Sequence, residues 1–324
     1  MAKILGIGNA LVDVMTRLED DALLEKLDLP KGSMQLVDET RVLAVEEACQ
    51  QLERSLASGG SAANTIHGLA NLGVDSAFIG KVGKDKLGKF FEDHLEKSSI
   101  NPKLIYSDNQ SGRAVALVSK DSERTFATFL GAAVELSSED LYPEMFEGYD
   151  ILHVEGYLVQ NHDLLEAIVI LAKNEDLKIS LDLASFNVVE DNLSFLQKIV
   201  RDYVDIVFAN EEEAKAFTGA EPQEALEILA NQTDIAVVKL GEKGSIIMHE
   251  DRKFGAGIIK ADCIDTTAAG DYYAAGFLYG LINNKTLDIC GQIGAILSGN
   301  VIEVLGANMD KERWSKIKAL VEKY

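Results

Sequence analysis

Paired cysteines, clustered histidines and an excess of positive charge are all missing from this 324-residue chain. Its three cysteines, Cys49, Cys263 and Cys290, show no paired spacing, which argues against a disulfide scaffold and for a reduced, cytoplasmic protein with small buried thiols. The five histidines are scattered, and no H-E-x-x-H or Cys/His cluster occurs, so a structural zinc site is not expected. Lys and Arg number 31 against 53 Asp and Glu, a net charge of −22 that would repel nucleic acid and anionic membrane surfaces. Phosphate, if handled at all, must be met locally by backbone dipoles, a few basic side chains and a divalent cation. No apolar run approaches the length of a membrane span, and Met-Ala-Lys leads straight into Ile4–Gly8, leaving no room for a signal peptide. With no Pro/Ser linker, repeat or low-complexity segment, residues 1–324 read as a single domain.

What is present is an alternation of short apolar runs and helical patterns. Ile4–Gly8, Ala77–Val82, Ile151–Glu155, Ile179–Leu183, Ile206–Ala209, Ile235–Leu240 and Ser245–Met248 are mostly continuous rather than alternating, as strands covered on both faces are. Helical periodicity lies between them at Ala62–Leu72, Leu87–Lys97, Leu164–Lys173, Glu211–Phe217 and Glu224–Asn231. Such alternation predicts an α/β fold, a mostly parallel central sheet flanked by helices. Three consecutive helices, Ala268–Ile282, Leu287–Leu305 and Asp310–Lys323, close the chain. Two stretches break the rhythm, at approximately 15–39 and 103–128. The second predicts an antiparallel hairpin of Ala114–Val118 and Arg124–Phe129 around the turn at 119–123. Strands inserted at these two places could pair into a small β-sheet lid beside the main sheet.

Several constellations could carry chemistry. In Asp265-Thr-Thr-Ala-Ala-Gly-Asp271, tiny residues open a helix whose first turn carries an aspartate. Free N–H groups there attract anions, and a carboxylate beside them suits a general base; plain capping and dipole complementation would use the same letters. Gly6-Ile-Gly8-Asn9-Ala-Leu-Val-Asp13 ends a strand in a glycine turn, but Leu11 stands where a dinucleotide fingerprint needs its third glycine. Asn9 and Asp13 would instead emerge at the carboxyl end of the first strand, placed to bond adjacent hydroxyls, or would simply serve a turn. Gly59-Gly60-Ser61-Ala-Ala-Asn64 allows close backbone approach before a helix, or marks a loop with Ser61 as N-cap. Gly83 to Lys89 imitates a P-loop, yet Phe90 replaces the required Ser or Thr, and Lys84, Lys86 and Lys89 read as a solvated helix face. Asn210 and Glu213 lie three apart on one helix face, where they could share a hydrated magnesium ion or merely complement the dipole. Val238-Lys239-Leu-Gly241-Glu-Lys-Gly244 is a strand and glycine turn, either a hairpin or one wall of a nucleotide pocket.

In this order, from about Ile4 to Ala307, the blocks resemble the ribokinase (PfkB) family of carbohydrate and nucleoside kinases. Gly59-Gly60, Asn64 and Leu72-Gly73 resemble its N-terminal signature, and Asp265 to Asp271 its C-terminal one, with Ala268 where many members have Gly. The resemblance implies a ribokinase-like fold with a β-sheet lid and transfer of the ATP γ-phosphate to a primary alcohol. It implies Asp271 as the base, and backbone N–H groups of Ala268, Ala269 and Gly270 around the transferring group. Asn9, Asp13, Gly60 and Asn64 would hold the acceptor, and Arg124 takes a lid position where relatives place a phosphate-contacting arginine. On the ATP side it implies Asn210 and Glu213 for magnesium and phosphates, with Lys239, Gly241, Gly244 and Asn300 near the ATP base. A monovalent cation such as K+ near Asp265 is also implied, and the lid leaves either a monomer or an oligomer open. Gly8-Asn9-x-Leu-x-Asp13, Lys31-Gly-Ser-Met-Gln-Leu36 and Arg124 to Gly131 are closest to the adenosine-kinase-like branch. A nucleoside is therefore the expected acceptor, a free sugar such as ribose or fructose the alternative. Met34, Leu36, Phe126 or Phe129 would cover a purine or simply pack the lid. A non-catalytic ligand-binding regulator is the reading from another class, against which the retained Asp271 argues.

Overall fold

The computed structural model describes residues 2–120 and 123–324, so residues 121 and 122 of the expected hairpin turn lie outside the described residues. The seven apolar runs, joined by two further strands at Ile100–Ser107 and Arg252–Ala256, form a nine-stranded sheet in the order β14-β13-β12-β11-β10-β9-β1-β5-β6. Its strands are β1 (Lys3–Ile7), β5 (Asp75–Gly83), β6 (Ile100–Ser107), β9 (Ile151–Glu155), β10 (Lys178–Asp182), β11 (Ile206–Asn210), β12 (Ile235–Lys239), β13 (Ser245–His249) and β14 (Arg252–Ala256). From β6 across to β12 all neighbours are parallel, and β12, β13 and β14 finish the sheet as an antiparallel meander. The sides alternate with the pleat: Ile4 and Phe78 face one core, Leu5, Ile7, Ala77 and Ile79 the other. The first core packs beneath the Ser61–Asn71, Ala269–Ile282 and Leu287–Val301 helices, the second beneath His162–Asn174, Leu193–Tyr203 and Pro222–Ala230. Gly6 permits close packing, since a Cβ there would stand 2.4 Å from Ile66 Cγ1.

A second, five-stranded sheet has the order β3-β8-β7-β2-β4, from β2 (Leu11–Arg17), β3 (Met34–Leu36), β4 (Arg54–Gly59), β7 (Gly112–Val118) and β8 (Arg124–Phe129). The expected hairpin is present as the antiparallel pair β7–β8. The lid boundaries read from the sequence need correction: the sheet begins at Leu11, includes β4, and excludes residues 103–107, which pair in parallel with β5 in the main sheet. β4 is mostly polar and residues 103–107 hold only the short apolar run Leu104-Ile-Tyr106, so local pattern could not assign either to a sheet. One face of the lid is buried against Leu24, Leu27, Val42 and Val45 through Val14, Val115, Leu117 and Ala127. The opposite face carries Asp13, Met15, Ala57, Ala114, Ala116, Arg124 and Phe126, which registration aligns across the strands. Nothing in the described residues forms a helix long and apolar enough to cross a membrane.

Candidate active site

In open parallel sheets, ligands bind beyond the carboxyl ends of the strands where the strand order reverses. Here that point lies between β1 and β9, and the first polar residues past those ends meet there. Asn9, just after β1, donates from Nδ2 to Glu155 Oε1 at 2.5 Å, and Ala62 N–H donates to Glu155 Oε2 at 3.3 Å. Farther along the same edge, β10 ends in Asp182, β11 in Asn210 and β12 in Lys239. Glu155 and Asp182 were missed by the sequence reading. Each is the single acid closing an apolar run, and the carboxyl-end rule applied to every strand would have found both.

Asp271 stands in the first turn of the Ala269–Ile282 helix and is gripped by the first turn of the Ser61–Asn71 helix. Ser61 Oγ donates to its Oδ1 at 2.7 Å, Asn64 Nδ2 to its Oδ2 at 2.9 Å, and Thr65 Oγ1 to its backbone oxygen at 3.1 Å. Ser61 therefore does not cap its own helix, whose N-cap is Gly60. Gly60 has φ 99°, and a Cβ there would lie 2.2 Å from the Asn9 carbonyl oxygen, so the loop can pass only as glycine. Burial pushes the Asp271 carboxyl up to about 6, opposed by the hydrogen bonds from Asn64 and Ser61.

Of the three N–H groups expected to face an anion, those of Ala268, Ala269 and Gly270, one is already engaged. Ala268, the helix N-cap, is left-handed with φ 59°, a conformation that glycine would adopt without strain. Ala269 N–H is occupied by Thr266 O at 3.2 Å, whereas the N–H groups of Ala268 and Gly270 have no acceptor among the described residues. Asp265 does not cap the helix but ties the loop together. Its Oδ1 accepts from Thr267 N–H at 2.9 Å and from Arg124, its Oδ2 from Gly306 N–H at 2.6 Å. Arg124 also donates to Thr267 Oγ1 and stacks over Phe126, 5.0 Å from the ring centre.

Asp13 projects from β2 into a cavity of about 520 Å³ between the lid and the Leu305–Asn308 loop, with Met15, Arg17 and Ala57 also on its wall. Its carboxylate accepts no hydrogen bond among the described residues. Burial drives it up to about 7, against the pull of Arg124 and with that of Asp271. The packing of Gly59 explains the absence of a side chain there, since a Cβ would sit 2.5 Å from Asp13 Oδ1.

On the other side, Asn210 and Glu213 close a capping box. Glu213 N–H donates to Asn210 Oδ1 at 2.8 Å, Asn210 N–H to Glu213 Oε2 at 2.8 Å, and Asn210 Nδ2 to Glu213 Oε1 at 2.6 Å. Both carboxylate oxygens are thus occupied, and no group of three acids, histidines or cysteines among the described residues could cage a metal. One carboxylate and one amide suit magnesium only as outer partners of an ion already bound by phosphates and water. Lys239 Nζ donates to Asp182 Oδ2 at 2.8 Å. Gly241 and Gly244 form the β12–β13 turn, both at positive φ, and a Cβ on Gly244 would lie 2.1 Å from Ala256 O. Asn300 is not brought to this cluster: it is fully buried in its helix, and its Nδ2 donates to Ile296 O at 2.8 Å. Nor is there a P-loop, because Asp85 caps the next helix by accepting from Gly88 N–H at 2.8 Å, while Lys84 and Lys89 pair with Asp108 and Glu92.

Residues 32–313 match the pfkB family carbohydrate kinase. The chain belongs to that family. It is accordingly a phosphotransferase with an alcohol group as acceptor, and ATP is the co-substrate that such kinases share. Among solved structures, this pfkB kinase is similar to the adenosine kinase from Sinorhizobium meliloti, with 32% identity, TM-score 0.87, and coverage of 98% of this chain and 99% of that one. A probable sugar kinase protein from Rhizobium etli CFN 42 is 30% identical, with TM-score 0.87 and 98% of both chains covered. The nucleoside kinase of Methanocaldococcus jannaschii is 29% identical over 273 residues, 82% of this chain and 86% of that protein.

The site also sets a pH dependence of stability. Asp13, Glu155 and Glu213 are raised to about 7 and Asp271 to about 6, burial being the first cause in each. Each folded carboxyl then holds a proton that the unfolded chain releases near pH 4. Their contribution to stability is full below the unfolded value and is lost as pH rises through the folded one. The melting temperature of the unliganded kinase is expected to fall between about pH 4 and pH 7. A scan showing a flat or rising Tm would mean that these carboxyls are already ionised in the fold.

Proposed function

We propose that this pfkB kinase transfers the γ-phosphate of ATP to a primary hydroxyl of a nucleoside, adenosine or a near relative, with Asp271 as general base. The observation that carries the base is the Asp271 carboxylate itself, oriented by Ser61 and Asn64 beside the open N–H groups of Ala268 and Gly270. Asp271 takes the proton as the acceptor oxygen attacks phosphorus, and the helix N-terminus meets the charge on the phosphoryl oxygens. Asn9, Asp13, Gly60 and Asn64 would hold the acceptor hydroxyls. Asn210 and Glu213 would hold magnesium through water, the metal supplying charge neutralisation for the phosphates.

The choice of a nucleoside rests on the lid. Met34 and Leu36, 59% and 62% exposed, share the open face with Phe126 over the small side chains of Ala114 and Ala116. A planar apolar base is suited to such a surface, and a free sugar has no use for it. The S. meliloti adenosine kinase supports this choice, and the R. etli probable sugar kinase keeps a sugar acceptor as the second reading. The test is ADP release with Mg-ATP against adenosine, inosine, ribose, fructose and fructose 6-phosphate. Turnover confined to nucleosides is expected. Turnover confined to a sugar would retain the mechanism and overturn the acceptor.

A further inference from the structure

The cleft is crowded with carboxylates: Asp13, Glu155, Asp182, Glu213, Asp265 and Asp271 all approach it. A polyphosphate entering such a field needs positive charge close to the transferring group. Arg124 is committed to Asp265 and Thr267 on the lid side. Lys239 lies on the other side, and its position is unlike that of a group serving the ATP base. Its ammonium bonds Asp182 Oδ2 at 2.8 Å, and a Cβ added to Gly270 would stand 2.9 Å from that same Nζ. The lysine therefore reaches past the sheet edge to the helix N-terminus where the open N–H groups of Ala268 and Gly270 lie. Burial works against the charge on Lys239, and the fields of Asp182, Glu213 and Asp271 together outweigh it and keep the ammonium protonated. Gly270 leaves room for it, since any side chain there would meet the ammonium.

We propose that Lys239 carries positive charge to the transferring phosphoryl group, and that Asp182 is the positioning residue that holds it ready. The inference rests on the kinase reading and moves Lys239 from the base of ATP to its phosphate end. In the step itself, the acceptor proton passes to Asp271, the acceptor oxygen bonds the γ-phosphorus, and the bond from phosphorus to the β–γ bridging oxygen breaks with its electron pair leaving on ADP. Lys239 gives up no proton; it neutralises charge that spreads over the phosphoryl oxygens. A purely structural ion pair would gain little from such burial, because desolvation offsets most of the attraction.

The test compares Lys239→Met, Lys239→Arg and the double variant Asp182→Asn/Lys239→Met. Lys239→Met is expected to lower kcat about 100-fold with the acceptor KM nearly unchanged. Calorimetric affinity should fall least for AMP, more for ADP and most for a non-hydrolysable ATP analogue. Lys239→Arg, which keeps the charge, should recover part of the loss. The double variant leaves no carboxylate at Asp182 to be stranded, so it guards against a folding defect, and its kcat should remain low with a near-normal Tm. Recovery of kcat in the double variant would overturn the proposal by showing that the pair only balances its own charges. An equal loss for AMP and ATP would overturn it by returning Lys239 to the base. Failure of the kinase reading is distinguishable, because the unaltered protein would then release no ADP with any acceptor.

Discussion

Asp271→Asn is expected to lower kcat by about 10²- to 10⁴-fold while leaving acceptor binding largely intact. The substitution keeps the shape of the side chain and removes its ability to take a proton. Its neighbours can adapt: the Asn64 amide can turn to present its oxygen, and the Ser61 hydroxyl can accept as well as donate. The grip on the helix terminus survives, so folding and the acceptor pocket should too. The wild-type rate should also rise with pH through about 6, where burial has placed the Asp271 carboxyl. The asparagine variant should lose that limb. Steady-state kinetics over pH, with calorimetry for acceptor binding, make the comparison. A variant within tenfold of wild-type kcat would remove Asp271 from the role of base.

Asp13→Ala is expected to act on the other side of the reaction, raising the acceptor KM by about 10- to 100-fold, the worth of a hydrogen bond to a charged group. The same substitution should leave the unliganded protein as stable as before or more so. Asp13 accepts no hydrogen bond among the described residues and is raised to about 7 by burial, so removing it relieves a desolvated group without breaking a bond. A residue kept for structure would show the opposite, a lower Tm with normal KM. Measuring Tm and KM on one preparation therefore tests the assignment twice. An unchanged KM would move the acceptor to another part of the cleft.

The site was legible in the sequence in proportion to how local each signal was. The Asp265–Asp271 and Gly59–Asn64 blocks are short strings whose glycines and small residues already imply close backbone approach, and the structure joins them through Ser61 and Asn64 to Asp271. Asn210 and Glu213 were correctly placed at a strand-to-helix junction, but their capping box, with both glutamate oxygens occupied, depends on side-chain geometry that spacing does not convey. Asn300 followed a resemblance of position alone, and it lies inside its own helix. Glu155 and Asp182 were invisible as motifs because each is one acid after an apolar run. The lid limits failed at β4 and at residues 103–107 for a related reason, since partner strands, more than local composition, decide to which sheet a short segment belongs.

By itself the sequence determined the layered α/β fold and marked the two glycine-rich blocks as places of close backbone approach. Strand and helix periodicity reports burial on one or both faces, and small residues before a helix report a backbone left open. The tertiary structure alone decided which polar residues share the cleft: Glu155 beneath Asn9, Asp182 holding Lys239 against Gly270, and Asp265 tying Arg124 to the Gly306 loop. The physical reason is strand order. Residues far apart along the chain become neighbours because parallel strands end at one edge, and the order in which they lie there is set by long-range packing of both cores.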